Sequence, residues 1–175
     1  MFNMKKTGVA AFIGSALLVA AMGAQAQDAV TVNVTGQVVD STCTLDQKAD
    51  GVAIDLGQAA VADFAGVGIP AASKDFSLDF HDCGDSVNTI TVAANGSADA
   101  DDANGYASTG DAANVAVELK SGDTFMDAAG VNTVPVTLAD GAGSLPFTAS
   151  MVQSNATAPT VGSVASVVTL NVDYK

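Results

Sequence analysis

The chain has 175 residues, enough for one domain, with 19 acidic residues, six Lys and no Arg, for a net charge of −13. Such a surface repels phosphate backbones, which excludes nucleic acid as a partner. Apolar residues make up 49% of the chain, which argues for a packed core rather than disorder, although Trp is absent and only 5% is aromatic.

The first element is a leader. Lys5 and Lys6 precede an apolar run from Val9 to Met22, and Ala24-Gln25-Ala26 has the small-x-small pattern of a signal-peptidase site. Cleavage is expected after Ala26, so residues 1–26 read as a secretory signal. The run is shorter than the roughly 20 apolar residues of a membrane-spanning helix, and no second such run follows. Without the leader the chain keeps Lys48, Lys74, Lys120 and Lys175 against the same 19 acids.

Beyond the leader the apolar period is two, the signature of half-buried strands. Val30, Val32, Val34 and Val38 alternate with polar residues, with Gly36 on the apolar face. Val52, Ile54 and Leu56 repeat the pattern, and Gly57 ends it. Gln58 to Phe64 is the one Ala-rich stretch compatible with a helix. Further strands are expected at Phe76–Phe80, Ile90–Val92, Val115–Leu119, Val134–Leu138, Phe147–Met151 and Val168–Tyr174. Turn chemistry separates them at Lys48-Ala49-Asp50-Gly51, Cys83-Gly84-Asp85, Asn95-Gly96, Asn104-Gly105, Ser121-Gly122-Asp123 and Asp140-Gly141. Ser97 to Asn114 is polar and Gly-rich and reads as a long or poorly ordered loop. About eight short strands with one apolar face each predict an all-β antiparallel sandwich.

Cys43 and Cys83 are the only cysteines. In an exported chain an even pair reads as a disulfide. Zinc would need four ligands, and two distant Cys with one His match no known spacing. His81 is the sole histidine and alternates onto the face opposite Phe80, which favours a solvent-facing strand residue over a catalytic base. No G-x-S-x-G elbow, paired acid–base set or metal cluster stands out, so an enzyme is not expected and no cofactor is implied. The run Asp99, Asp101, Asp102, Asn104 fails the EF-hand pattern, because positions six and twelve hold Asn104 and Gly110. It reads as a solvated acidic loop, with a weak cation site as the alternative. Asn33, Asn95 and Asn155 stand in glycosylation-type sequons that a bacterial export route would leave unused.

Both ends of the chain beyond the leader are unusual. Val30 to Val38 is long and regular for a terminal arm, and the last strand runs to Tyr174, one residue from Lys175. Exposed apolar strands invite pairing with another chain. The other reading of the arm is an ordinary first strand paired within its own domain.

Taken in order, several features resemble the type 1 pilin family of chaperone–usher fimbriae. They are the arm with its Gly36, the approach to Cys43 through Asp40-Ser41-Thr42, and Ile54-Asp55-Leu56-Gly57. Phe76-Ser77-Leu78-Asp79-Phe80-His81-Asp82-Cys83, then Leu145-Pro146-Phe147, then the closing strand with penultimate Tyr174 complete the set. No single motif is specific, but the ordered set spans the whole exported chain. The resemblance implies an incomplete immunoglobulin-like β-sandwich that lacks its last strand and is completed by donor-strand exchange. It divides the chain into a signal peptide (1–26), a donor arm (27–38) and a pilin domain (39–175). Val30, Val32, Val34 and Val38 would fill the groove of a neighbouring subunit, with Gly36 at its narrowest point. Val168, Leu170, Val172, Tyr174 and Lys175 would form the strand that meets the groove occupant and the periplasmic chaperone. The implied partners are identical or homologous pilins, the chaperone, an outer-membrane usher and a host-surface receptor met through the fibre. The implied location is an extracellular fimbrium reached through the periplasm. A minor adaptor or tip subunit that binds a glycan or receptor directly is the alternative. The acidity, the absence of Arg and the terminal Lys175 depart from the family pattern.

Overall fold

The computed structural model describes residues 42–47 and 51–175. The leader and the arm Val30–Val38 lie outside the described residues.

The alternating segments form ladders wherever both apolar faces can meet. Strands β2 (Pro70–His81) and β8 (Gly143–Gln153) pair antiparallel, with Phe76 opposite Phe147 and Leu78 opposite Leu145. The Phe76 and Phe147 rings stack at 5.3 Å between centroids, a favourable cross-strand aromatic pair. Strand β5 (Val115–Ser121) adds to the far edge of β8, and β1 (Thr44–Leu45) adds to β2. The short strands β4 (Gly105–Ala107) and β6 (Thr124–Phe125) share the outer edge of β5, giving a six-stranded sheet. The second sheet has three strands in the order β7 (Ala129–Val136), β3 (Ile90–Gly96), β9 (Val168–Tyr174). Leu78, Phe80, Ile90, Val92, Leu119 and Phe147 meet in the buried core between the sheets.

This arrangement follows the immunoglobulin plan. One sheet of that fold runs A-B-E-D and the other C-F-G. Here β1-β2-β8-β5 takes the A-B-E-D positions and β3-β9 the C-F positions. Among the described residues nothing occupies the G position beside β9, so the sandwich is all-β and one strand short.

Tyr106, next to Gly105 on β4, fixes the core interior. Its ring is fully buried and its hydroxyl donates to the Met126 carbonyl at 2.7 Å. Burial, then the nearby Asp127 charge, pushes the phenol up to about 12. Its stabilising contribution is therefore intact below the ordinary phenol range and is lost as pH rises through about 12. Tyr106→Phe leaves the Met126 carbonyl unpaired, with an expected loss of about 1–3 kcal/mol. Urea unfolding near neutral pH checks this as a lower midpoint at unchanged slope.

Three expectations change. Val52–Leu56 alternates like a strand, but 51–60 joins no ladder. Gln58–Phe64 forms only a single 3-10 turn, Val61–Asp63, which buries none of its own side chains, while Ala59 and Phe64 beside it pack on Ala112, Val115 and Met151. Asn95-Gly96 closes strand β3 instead of turning, with Gly96 opposite Val168. A Cβ at Gly96 would lie 2.7 Å from the Tyr106 ring, so the glycine serves close packing.

The polar stretch Ser97–Asn114 also differs from a loose loop. It contains β4, and its second half is tied to residues 154–165. Thr109 N–H donates to Ala165 O at 2.7 Å, and Ala112 N–H donates to Ser163 O at 3.0 Å. The two backbones approach closely because glycine stands on each side. A Cβ on Gly110 would lie 2.0 Å from Ser163 O, and one on Gly162 2.4 Å from Ala112 N.

Candidate functional site

The missing strand position is the mouth of a groove of about 1140 Å³. Its floor comes from three strands of the larger sheet: Phe76 and Leu78 of β2, Val117 and Leu119 of β5, and Ala149 and Met151 of β8. These are the inward-facing residues that would contact the absent strand in a complete sandwich.

One wall is β9. Val168, Leu170, Val172 and Tyr174 are half-buried, while Thr169, Asn171 and Asp173 between them are exposed. Val168, Leu170 and Val172 line the groove. β9 is hydrogen-bonded to β3 on one edge, and its other edge has no ladder partner among the described residues. Burial pushes the Tyr174 phenol above its ordinary range. The strand's end is fixed, because Lys175 O accepts from the Asn88 and Thr89 N–H groups, both at 2.7 Å.

The other wall is the segment that the sequence reads as a strand. β1 is short, and Gln47 prolongs its pairing with β2 by side-chain mimicry of a backbone. Its Nε2 donates to Ser77 O at 3.0 Å, and its Oε1 accepts from Asp79 N–H at 3.1 Å. From Gly51 on, the chain lies across the groove mouth with Ile54 and Leu56 turned inward, half-buried against the core. Its peptide groups make few contacts: Gly57 N–H donates to Asp55 Oδ1, and Ala60 N–H to Asp63 Oδ2. Two apolar walls, each with an unpaired backbone edge, form a template for an added β-strand.

Cys43 and Cys83 are joined, with Cys43 just before β1 and Cys83 just after β2. His81 is 41% exposed at its side chain and sits between Asp46 and Asp82, at 2.7 and 2.8 Å. The Asp82 hydrogen bond, with help from Asp46, raises its pKa above the ordinary imidazole range. The contacts clasp the start of the groove wall to β2, and no nucleophile stands beside the ring among them. The floor residues Val117, Leu119, Ala149 and Met151 escape sequence reasoning as site residues, since an inward-facing strand residue looks the same whether it meets its own sheet or a guest. The loop Gly162–Ser166, which lines one end of the groove, carries no sequence signal of that role.

Residues 32–175 match the fimbrial protein family. The chain belongs to that family. Among its fimbrial relatives, long polar fimbria protein A of Salmonella typhimurium is 30% identical over 99% of both chains. The probable major fimbrial subunit LpfA of Escherichia coli O157:H7 is 30% identical over 83% of both. Solved fimbrial structures agree on the fold. A chaperone–usher pilus subunit is 25% identical with a TM-score of 0.66, over 86% of this chain and 97% of that one. The P pilus rod subunit PapA is 21% identical with a TM-score of 0.65, over 77% of this chain and all of that one. The relatives are structural subunits of surface fimbriae rather than enzymes, and this chain is a fimbrial subunit of the chaperone–usher type.

Proposed function

We propose that this fimbrial subunit polymerises by donor-strand exchange, its arm Val30–Val38 lying in the groove of a neighbouring copy. The supporting observation is the groove itself: an apolar floor flanked by two walls whose backbone edges have no ladder partner among the described residues. The arm offers what the groove needs. Val30, Val32, Val34 and Val38 present one apolar face, and Gly36 offers no side chain where the fit is tightest. In this reading residues 1–26 are the export signal, 27–38 the donor arm and 39–175 the pilin domain. A periplasmic chaperone shields the groove along Val168, Leu170, Val172, Tyr174 and Lys175, and an outer-membrane usher replaces it with the next subunit. The product is an extracellular fibre whose role is attachment to a surface receptor.

The chain acts mainly as a shaft subunit, a reading supported by its likeness to a probable major subunit over 83% of both chains. A tip or adaptor role is favoured by a shorter likeness, 33% identity over 59% of both chains, to the S-fimbrial adhesin SfaS of Escherichia coli.

The deciding experiment compares the exported chain with and without Asp28–Val38 on denaturing gels, heated and unheated. The intact chain is expected to give a heat-labile ladder and the truncated chain only monomer. An intact chain that stays monomeric after chaperone removal would refute the proposal.

A further inference from the structure

Outside the groove, the described residues hold a buried pair of carboxyl groups whose hydrogen bonding is incomplete. Glu118 lies in the middle of β5 and is only 3% exposed. Its neighbours Val117 and Leu119 enter the core, so Glu118 stands on the outer face of the sheet. That face is roofed over. A Cβ on Gly68 would lie 3.9 Å from Glu118 Oε1, and the loop between β3 and β4 sets the Asp102 carboxyl beside the same stretch of ladder. Asp102 packs directly on the ladder: Gly105 is opposite Glu118, and a Cβ there would meet Asp102 Oδ2 at 2.7 Å.

Glu118 Oε2 and Asp102 Oδ2 are both buried, and neither has a hydrogen-bond partner. Among the described residues no donor reaches either oxygen. On β8 the facing residue is Ser150, whose hydroxyl pairs with Ser73 at 2.9 Å. On β4 it is Gly105, and on the covering segment Gly68. Among the described residues Lys120, two residues along β5, is the one cation acting on Glu118, and its Nζ sits 3.8 Å above the Phe125 ring. The other acids of the loop are engaged elsewhere. Asp99 Oδ1 accepts from the N–H groups of Asp101 and Asp102, and Asp101 Oδ2 accepts from Asn155 Nδ2.

Two buried carboxylates that face each other without a donor repel strongly. One proton between them turns one partner into a donor and removes one charge. We propose that Glu118 keeps a proton that faces the Asp102 carboxylate, forming an acid-closed latch that holds the Asp99–Asn104 loop and β4 against β5. Loss of the proton leaves two like charges under the loop, and the loop and β4 lift from the sheet edge.

The direction of the pH response follows from Glu118. Burial first, then the Asp102 charge, pushes its carboxyl up to about 7, against a partial opposing pull from Lys120. A raised carboxyl pKa means the closed state binds the proton more tightly than the open one. Closure is therefore strongest below the ordinary glutamate range, weakens as pH rises, and reaches its floor once pH passes about 7.

Two measurements on the folded exported chain test the latch. The first is the carboxyl carbon shift of Glu118 by NMR against pH. The second is amide hydrogen exchange of Asp99–Ala107, corrected for intrinsic rates, between about pH 5 and pH 8. Glu118 is expected to titrate near neutrality, and protection of the segment to fall about tenfold or more between the acid and neutral ends. E118Q mimics protonated Glu118, and D102N removes the charge that faces it, so each should flatten that dependence. A Glu118 midpoint in the ordinary carboxylate range, or equal wild-type protection across the pH range, overturns the latch.

Discussion

Leu170→Asp is expected to abolish fibre assembly while leaving the isolated domain folded. Leu170 is half-buried on β9 and lines the groove, so in the monomer a carboxylate there can still reach water. Once a neighbour's arm covers the groove, that escape closes. A charge buried without a partner costs several kcal/mol, and each 1.4 kcal/mol is a factor of ten in the equilibrium. A loss of at least about a hundredfold in heat-labile multimers follows. The alternation along β9 provides the control. Asn171 is exposed, faces away from the groove and lies beside Asn95, so Asn171→Asp should assemble normally. Gel ladders give the assembly readout and circular dichroism the monomer fold. Equal ladders from the two variants would show that the inward face of β9 does not meet a guest strand.

Much of this was legible because a period of two survives wherever a strand has one wet face and one dry face. Phe76, Leu78 and Phe80 mark β2, and Val168 to Tyr174 mark β9, for that reason alone. Val52–Leu56 carries the same alternation but joins no ladder, because pairing is settled by what lies beside a segment and composition records only its faces. That segment is read correctly as extended and incorrectly as paired, and its missing ladder is what leaves the groove edge open. Ser97–Asn114 fails in the opposite sense. Its polarity signals solvent, yet Gly110 and Gly162 let two backbones bond directly and hold the stretch down. Glu118 sits on an alternating strand at a position that reads as solvent-facing, and only the roof formed by Gly68 and the Asp102 loop makes it buried.

Removal of the disulfide has the largest expected effect on the fold itself. The Cys43–Cys83 bond closes a loop of about 41 residues, and loop-closure entropy in the unfolded chain then gives roughly 4 kcal/mol. Typical domains have only about 5–15 kcal/mol to lose. The native contacts near the bond make the loss harder to absorb. Among the described residues β1 pairs with β2 at Thr44–His81 and Leu45–Phe80 alone, followed by Asp46 N–H to Asp79 O and the Gln47 amide. From Gly51 to Ala60 the groove wall joins no ladder among the described residues, so the disulfide and this short pairing carry the wall that presents Ile54 and Leu56. The double variant Cys43→Ser, Cys83→Ser should therefore lower the urea midpoint by an amount equivalent to about 4 kcal/mol, and a reducing agent should do the same to the wild type. Any failure to assemble would come with that lowered midpoint, unlike the failure of Leu170→Asp, which keeps its fold. An unchanged midpoint in the double variant would mean that β1 and the groove wall hold without the bond, and that the short pairing with β2 is enough to anchor the site.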